Sequence, residues 1–231
     1  PMTSNYKECP DIHIHHFKTA ENAAGTFDRN TKILEEEIKK NPTNARVQFY
    51  LAKEYGDAGH ADRAEKEYLR YLGLPTGWIE NRFSAYQKLA EIERDRKNYD
   101  KALEYLKECT KINPDRAEVL CLQGEIYNAK EETETAIHYY EKATFESSKN
   151  NLGFNSVPYS TWIPNLQLCV LYNKLGDIWK AYEHNEIALS YKPNEQIMLN
   201  NKKILEEAVK NKKKKKKDTL ISFVVPYGDS D

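Results

Sequence analysis

A cluster of histidines near the start of the chain is the first group of side chains that could do chemistry. His13, His15 and His16 fall within four residues, and imidazole is a common ligand of divalent transition metals. Apolar Ile12 and Ile14 alternate with the histidines, which predicts a short strand. On a strand His13 and His15 share one face and His16 points away, so at most two of them can chelate one ion. Two interpretations stay open, a metal site or an ordinary polar strand.

Other catalytic patterns are missing from the sequence. It has no Gly-x-Ser-x-Gly element and no glycine-rich phosphate loop. Its four cysteines form no C-x-x-C pair, which favours reduced thiols in a cytosolic setting. No apolar run is long enough to cross a bilayer. We therefore expect a cytoplasmic protein, and we expect no cofactor within this chain.

A repeat of about 34 residues organises most of the sequence. In each of four stretches, two small side chains lie twelve residues apart. These pairs are Ala52 and Ala64, Ala90 and Ala102, Gly124 and Ala136, and Cys169 and Ala181. Small residues at this spacing allow two antiparallel helices to approach closely where they cross. The repeat therefore predicts four helix hairpins.

The pattern resembles the tetratricopeptide repeat (TPR), a helix, a short turn and a second helix. Tyrosines at Tyr68 and Tyr140 are placed to fill the space between hairpins, and Pro114 and Pro193 follow second helices, where a residue without an N–H is tolerated. The predicted fold is all-α, a TPR-type α-solenoid of antiparallel hairpins with short non-helical segments at both ends. After the fourth hairpin, Ile197, Ile204, Leu205 and Ala208 are predicted to share the buried face of a capping helix, which repeat arrays need.

The register of the repeat breaks twice. About four extra residues fall around Leu-Pro-Thr-Gly-Trp at 74–78, and a longer insertion rich in Asn, Ser, Gly and Pro covers 147–162. A binding loop is one interpretation of the longer insertion, and a tolerated insertion without function is the favoured one. For Trp78, Trp162 and Trp179, packing between hairpins is favoured over stacking on sugars.

A TPR array commonly binds a ligand through the first helices of its hairpins. The candidate groove residues at these positions are Arg46, Phe49, Tyr50, Lys53, Gln87 and Glu91. Chaperone-binding TPRs hold a terminal carboxylate with Lys, Asn and Arg at set first-helix positions. Here the Lys and Asn pairing is absent and acidic residues replace it, which argues against a carboxylate clamp.

Three motifs resemble the TPR-like region that follows the catalytic domain in a group of family 2 glycosyltransferases. They are Arg46-x-x-Phe-Tyr-Leu-Ala-x-x-Tyr55, Gly77-Trp-Ile-Glu80 and Pro114-Asp-Arg-Ala-Glu118. The resemblance covers roughly residues 10–205. Asn81 departs from the second acidic residue usual after the Trp-x-Glu element.

The resemblance implies a chain that is a piece of a longer glycosyltransferase. The implied divisions are 1–27 as the exit of a preceding glycosyltransferase-like domain, 28–210 as the TPR-like domain with its capping helix, 211–219 as a lysine-rich linker, and 220–231 as the first strand of a following domain. Under it, His15 or His16 would help to hold the Mn²⁺ or Mg²⁺ of the parent enzyme. The chain itself would not be catalytic, and would act as a spacer or orient a glycan or protein acceptor.

The alternative is a stand-alone TPR scaffold that binds a protein or peptide and has no link to sugar transfer. The six lysines at 212–217 leave three interpretations open: a nucleic-acid or nuclear-localisation patch, a contact with an anionic membrane, or the favoured linker. The formal net charge of −1 gives no basic field over the whole chain, so we expect no nucleic-acid partner.

Overall fold

The four predicted hairpins are present in the structure, a computed structural model that describes residues 20–146 and 156–222, with side chains at 25–144 and 156–213. The described residues divide into two compact units, the first ending at Gly77 and the second beginning at Trp78. In order, the helices are α1 Ala20–Lys40, α2 Ala45–Asp57, α3 Ala61–Leu72, α4 Ile79–Asp95, α5 Tyr99–Ile112, α6 Ala117–Ala129, α7 Thr133–Glu146, α8 Trp162–Lys174, α9 Ile178–Tyr191 and α10 Gln196–Ser222. A short 3₁₀ helix, Val157–Ser160, precedes α8.

Each hairpin is held together at the small residues that the repeat predicted. In the first unit α2 packs on α3, and in the second unit α4 packs on α5, α6 on α7 and α8 on α9. Ala52, Ala64, Ala90 and Ala102 are fully buried. These residues leave room for large side chains such as Tyr68, Leu89 and Leu106, which are buried around the crossings. The α-solenoid prediction is confirmed.

The same turn closes every hairpin. The second residue after the first helix has a left-handed backbone in all four, at Gly59, Lys97, Glu131 and Gly176. In the last hairpin the amide of Asp177 donates to the carbonyl of Tyr172 at 2.9 Å, and equivalent bonds recur at the other three turns. This arrangement is the Schellman motif, which satisfies carbonyl groups that a helix end leaves open.

Replacing Gly176 by alanine is expected to destabilise the second unit by about 1 kcal/mol. A Cβ at Gly176 would meet no atom within 4 Å. The loss of stability would therefore come only from the strain of alanine in a left-handed backbone, at φ 77°. The measurement is the midpoint of urea unfolding followed by far-UV circular dichroism. Gly176→Asn is the matched control, because asparagine tolerates this conformation better and should lose less. An alanine variant as stable as the parent would contradict the expectation.

The helices at the two ends of the described chain differ from the sequence-based expectations. Helix α1 begins at Ala20, eight residues before residue 28, the predicted start of the TPR-like domain. Helix α10 continues through Lys212–Lys217 to Ser222, where an extended linker and the start of a strand were predicted. Lysine is a good helix former, which accounts for the continuation. The division of the chain into flanking domains stays a prediction, and residues 1–19 and 223–231 lie outside the described residues.

The buried face of α10 is also different from the predicted one. Met198 is fully buried against Ala188 and Leu189 of α9, and Leu205 is 3 % exposed. Ile197 and Ile204 are 60 % and 66 % exposed, so the predicted face was wrong at both. Because Met198 and Leu205 lie seven residues apart, two helical turns, they can share a face that turns Ile197 and Ile204 outwards. Within the described ranges, no helix is both long enough and apolar enough to span a bilayer.

Candidate functional site

A groove of about 520 Å³ lies in the second unit on the first helices of three successive hairpins, α4, α6 and α8. Most of its lining side chains are polar or charged. The lining residues are Gln87, Lys88, Glu91, Arg94, Glu118, Cys121, Leu122, Glu125, Asn128, Tyr140, Tyr159, Ile163 and Gln167. Residues three and four apart share one face of a helix, and this spacing brings Gln87, Glu91 and Arg94 together on α4.

Charged groups on the groove wall are joined in ion pairs. On α4, Lys88 Nζ lies 2.6 Å from Glu91 Oε2, and Gln87 Nε2 donates to Glu91 Oε1 at 3.1 Å. Between helices, Arg94 Nη1 donates to Glu125 Oε2 at 2.8 Å. The side chain of Glu125 is 53 % exposed. These contacts hold the carboxylates in place while leaving Glu125 open to a ligand.

The end of the long insertion forms part of the groove. The amide of Ser156 donates to Glu118 Oε1 at 2.8 Å, and the thiol of Cys121 donates to the carbonyl of Tyr159 at 3.3 Å. These two bonds attach the 3₁₀ helix to α6, which places Tyr159 in the lining. Residues 147–155 of the insertion lie outside the described residues. The end of the insertion therefore contributes to the groove lining, and a role of the insertion in binding stays a prediction.

A buried ion-pair cluster lies beside the groove and positions Glu118. Arg116 Nη1 donates to Glu80 Oε2 at 3.0 Å, and Arg116 Nε lies 3.5 Å from Glu118 Oε2. The Arg116 guanidinium stands 4.5 Å from the ring centre of Phe83. Glu80 belongs to the Gly-Trp-Ile-Glu motif, and Arg116 and Glu118 belong to the Pro-Asp-Arg-Ala-Glu motif. Two motifs that are far apart in sequence thus meet in one structural contact, which explains the residue types at these positions.

Two thiols of the second unit, those of Cys121 and Cys169, are unsuited to nucleophilic chemistry. Burial and the nearby carboxylate of Glu118 raise the pKa of Cys121 far above its ordinary value, and burial raises the pKa of Cys169 to about 11. Both cysteines therefore stay protonated at neutral pH, and the thiolate is the reactive form. Burial, followed by the nearby carboxylate of Glu91, also raises the pKa of Tyr159. The phenol of Tyr159 is accordingly neutral and can exchange hydrogen bonds with a ligand.

Two of the six predicted groove residues, Gln87 and Glu91, lie in this groove. The other four lie on α2 in the first unit. Phe49 is 6 % exposed and packs on Tyr68 and Tyr71, so it serves the hairpin core and offers little surface.

The remaining three candidates on α2 contact their own helix. The guanidinium of Arg46 stands 5.8 Å from the ring centre of Tyr50, which is 42 % exposed. Lys53 pairs with Asp57 one turn further along α2. Arg46, Tyr50 and Lys53 therefore form a separate polar surface in the first unit, and their role as a ligand surface stays a prediction.

The predicted metal ligands His15 and His16 lie outside the described residues, so their metal site stays a prediction. Among residues whose side chains are described, no group of three or more His, Cys, Asp and Glu is arranged to hold a metal ion. Trp78 and Trp179 are 60 % and 48 % exposed, so packing between hairpins was the wrong interpretation for both. Trp162 is half-buried and packs on the cluster of Ala188, Leu189 and Met198.

Several groove residues were not among the sequence-based candidates. Arg94 and Asn128 occupy equivalent places at the ends of α4 and α6, one turn beyond Glu91 and Glu125. Arg94 and Asn128 each lie three residues after a groove carboxylate, so the helical spacing of three to four residues could have predicted both. Tyr159 lies in the irregular insertion, and no periodic signal in the sequence indicates that it reaches α6.

Comparisons with known proteins agree with this architecture. A family model described as a tetratricopeptide repeat-like domain matches residues 9–157. Among curated protein sequences, none matches the chain significantly.

Several solved structures share the fold at low sequence identity. MamA superposes with a TM-score of 0.59 at 20 % identity, over 77 % of this chain and 97 % of MamA. BtubC from P. vanneervenii superposes with a TM-score of 0.59 at 18 % identity, over 93 % of this chain and 97 % of BtubC. YrrB, a TPR protein with an unusual peptide-binding site, superposes with a TM-score of 0.58 at 14 % identity, over 78 % of this chain and 86 % of YrrB. At these identities the likeness is one of fold alone.

Proposed function

Because this chain belongs to the tetratricopeptide repeat-like domain family, we propose that it is a binding module whose second unit holds an extended peptide segment of a partner protein. The observation that carries the proposal is the groove on α4, α6 and α8. Its volume of about 520 Å³ is within the range of roughly 300 to 1,000 Å³ found for ligand pockets. YrrB, which shares the fold, has a peptide-binding site and provides a precedent.

The lining of the groove suits a peptide better than an apolar small molecule. Amide side chains from three successive first helices, Gln87, Asn128 and Gln167, face the groove. An amide both donates and accepts hydrogen bonds, so it can pair with the N–H and C=O groups of an extended backbone. Leu122 and Ile163 add a smaller apolar surface for a ligand side chain.

The charges of the groove favour a ligand with a basic side chain. Three carboxylates line it, from Glu91, Glu118 and Glu125, against the two cations Lys88 and Arg94. Both cations already contact groove carboxylates. The remaining negative charge would attract lysine or arginine, and would disfavour a peptide that presents a carboxylate at the same place.

The test is selection of binders from a random peptide library displayed on phage, with the whole chain as the target. Peptides enriched in lysine or arginine are expected to bind with micromolar affinity. Glu91→Lys combined with Glu125→Lys is expected to weaken that binding at least about tenfold, by placing like charges against the ligand. Affinities are measured by isothermal titration calorimetry with the selected synthetic peptides.

A matched control reverses two carboxylates elsewhere in the same unit. Glu104 and Glu108 lie on α5, outside the groove lining, and Glu108 also pairs with a lysine, Lys111. Glu104→Lys combined with Glu108→Lys is expected to leave affinity within about twofold, since the change of net charge is the same and only its place differs. Equal losses in both double variants, or selection of acidic peptides, would contradict the proposal.

A second candidate is that the module serves a family 2 glycosyltransferase as a spacer or as a domain that orients a glycan or protein acceptor. The three sequence motifs support it, and the contact of Arg116 with Glu80 and Glu118 gives two of them a shared structural reason. The test uses the full-length parent chain, incubated with sugar nucleotides and Mn²⁺ or Mg²⁺. Binding or hydrolysis of a sugar nucleotide is expected, and failure with all donors would exclude this candidate.

A further inference from the structure

Basic and apolar side chains meet at the turn between α8 and α9. We define the lysine–tryptophan patch as Lys174, Leu175, Trp179, Lys212 and Lys213. All five side chains are exposed, and Leu175 and Trp179 are each 48 % exposed. Two large apolar side chains are thus exposed close in sequence at a turn that also carries basic residues. The patch lies outside the groove, so the proposed peptide binding does not account for it.

Direct contacts bring the lysines of α10 onto this turn. Lys212 Nζ donates to the backbone carbonyl of Gly176 at 2.7 Å, and Lys213 Nζ stands 5.0 Å from the ring centre of Trp179. Two charges from α10 therefore lie beside an exposed indole and beside the backbone of the turn that follows Leu175. Lys174 adds a third charge from α8.

The helix continues this positive charge beyond the patch. Between Ala208 and Lys217 the sequence has seven lysines and no acidic residue, and α10 is helical across this range. About 1 kcal/mol of attraction per lysine or arginine is typical near an anionic membrane surface. Clusters of four to eight basic residues on a helix are characteristic of lipid-binding segments.

We infer that the lysine–tryptophan patch and the lysine-rich end of α10 dock the protein on a bilayer that contains anionic lipid. Tryptophan favours the membrane–water interface because its ring is apolar and its N–H is polar. Leu175 supplies apolar area that a lipid surface can cover. The attachment is to the membrane surface, in keeping with the lack of a spanning helix within the described ranges.

The composition of this region favours lipid over nucleic acid. No arginine follows Arg116 in the sequence, whereas arginine is prominent in nucleic-acid recognition because its planar group binds phosphates in a bidentate manner and stacks on rings. Lysine alone provides point charges, which suffice for a fluid layer of headgroups. The exposed leucine likewise has no use against a phosphate backbone.

The experiment is co-sedimentation of the whole chain with phosphatidylcholine vesicles prepared with and without phosphatidylserine. Binding is expected only to vesicles with phosphatidylserine, and it should fall as salt is raised to about 0.5 M. Replacing Lys214–Lys217 by glutamine should weaken binding on the order of a thousandfold, because each lysine contributes about 1 kcal/mol. Glutamine keeps helix propensity close to that of lysine, and Lys212 and Lys213 retain their contacts.

Two further variants separate the parts of the inference. Trp179→Ala should weaken binding by roughly fivefold, since apolar burial adds to the electrostatic attraction. The charge-matched control replaces four exposed lysines of the first unit by glutamine, namely Lys32, Lys39, Lys40 and Lys66, and should change binding less than threefold.

Three outcomes would overturn the inference. One is equal sedimentation with both kinds of vesicle, and another is an equal loss in the matched control. The third is lysine-dependent binding of duplex DNA or RNA that is tighter than binding of vesicles. None of these measurements involves the groove, so they leave the proposed peptide binding untouched.

Discussion

Replacing Arg116 by methionine is expected to destabilise the second unit by about 3 to 5 kcal/mol. The Arg116 side chain is 8 % exposed and contacts Glu80 and Glu118, whose side chains are 21 % and 9 % exposed. Removing the guanidinium would leave the Glu118 carboxylate buried beside no cation, and uncompensated buried charge is costly. Methionine can keep apolar contact with Phe83, so the loss of stability should come mainly from the missing charge and less from missing side-chain volume.

The measurement is urea unfolding of the whole chain followed by far-UV circular dichroism. Lys111→Met is the matched control, because Lys111 and Glu108 form an ion pair whose side chains are 60 % and 37 % exposed. Exposed pairs contribute at most about 1 kcal/mol, so this variant should change little. An Arg116→Met variant that also loses less than about 1 kcal/mol would show that the cluster is energetically unimportant.

A rescue distinguishes the loss of charge balance from other damage. Glu80→Gln and Glu118→Gln, added to Arg116→Met, should restore more than half of the lost stability because the orphaned charges are gone. The amide of glutamine can still accept the hydrogen bond that the Ser156 amide gives to Glu118. If the triple variant is less stable to urea than Arg116→Met, the explanation from unpaired charge is wrong.

Replacing Gly124 by alanine is expected to destabilise the second unit by about 2 kcal/mol. A Cβ at this position would lie 2.9 Å from Tyr140 Cε2 and 3.0 Å from both Cδ2 and Cζ. Tyr140 is 3 % exposed and packs in the core with Leu168 and Tyr172, so its ring has little room to move. The clash should outweigh the gain of about 1 kcal/mol that alanine brings to a helix.

Gly56→Ala provides the opposite expectation in the same experiment. It also lies in a first helix, but its Cβ would meet Ala64 Cβ and the Tyr68 hydroxyl at 3.8 Å, ordinary contact distances. This variant should be unchanged or more stable by up to about 1 kcal/mol. Combining Gly124→Ala with Tyr140→Leu should cost less than the sum of the single changes, because leucine vacates the space of the ring. Additive losses would contradict the clash.

The hairpins could be predicted from the sequence because their physical requirement is local and repeated. Two helices can cross closely only where both carry small side chains, and Ala90 and Ala102 meet that requirement at a fixed spacing. Cys169 was assigned by position alone, and its burial at 2 % exposure agrees. A constraint that recurs in every unit leaves a signal that a single sequence reveals.

The groove was only partly predictable, for two physical reasons. Gln87 and Glu91 follow from helix position, but the insertion obeys no period, so the approach of Tyr159 to α6 depends on tertiary contacts. Phe49 shows the second reason. Its place on α2 matches a groove position, yet its ring packs on Tyr68 and Tyr71 because an aromatic side chain gains more free energy by burial than by exposure.

The lysine-rich segment differs from the prediction in its local structure. It was predicted to be a linker between domains, whereas α10 continues through the six lysines to Ser222. Lys212 and Lys213 contact the turn after α8 and the Trp179 ring, which relieves part of the repulsion among the lysines and favours the helix. Such contacts depend on the packing of α10 against α9, which the sequence of the lysine run does not reveal.

The shared left-handed turn has a consequence for the evolution of this chain. Lys97 and Glu131 have almost the same backbone angle and lie 34 residues apart. A recombination event that joined two such turns would add or remove one hairpin without altering backbone geometry at the junction. Growth of the array therefore needs no new local structure.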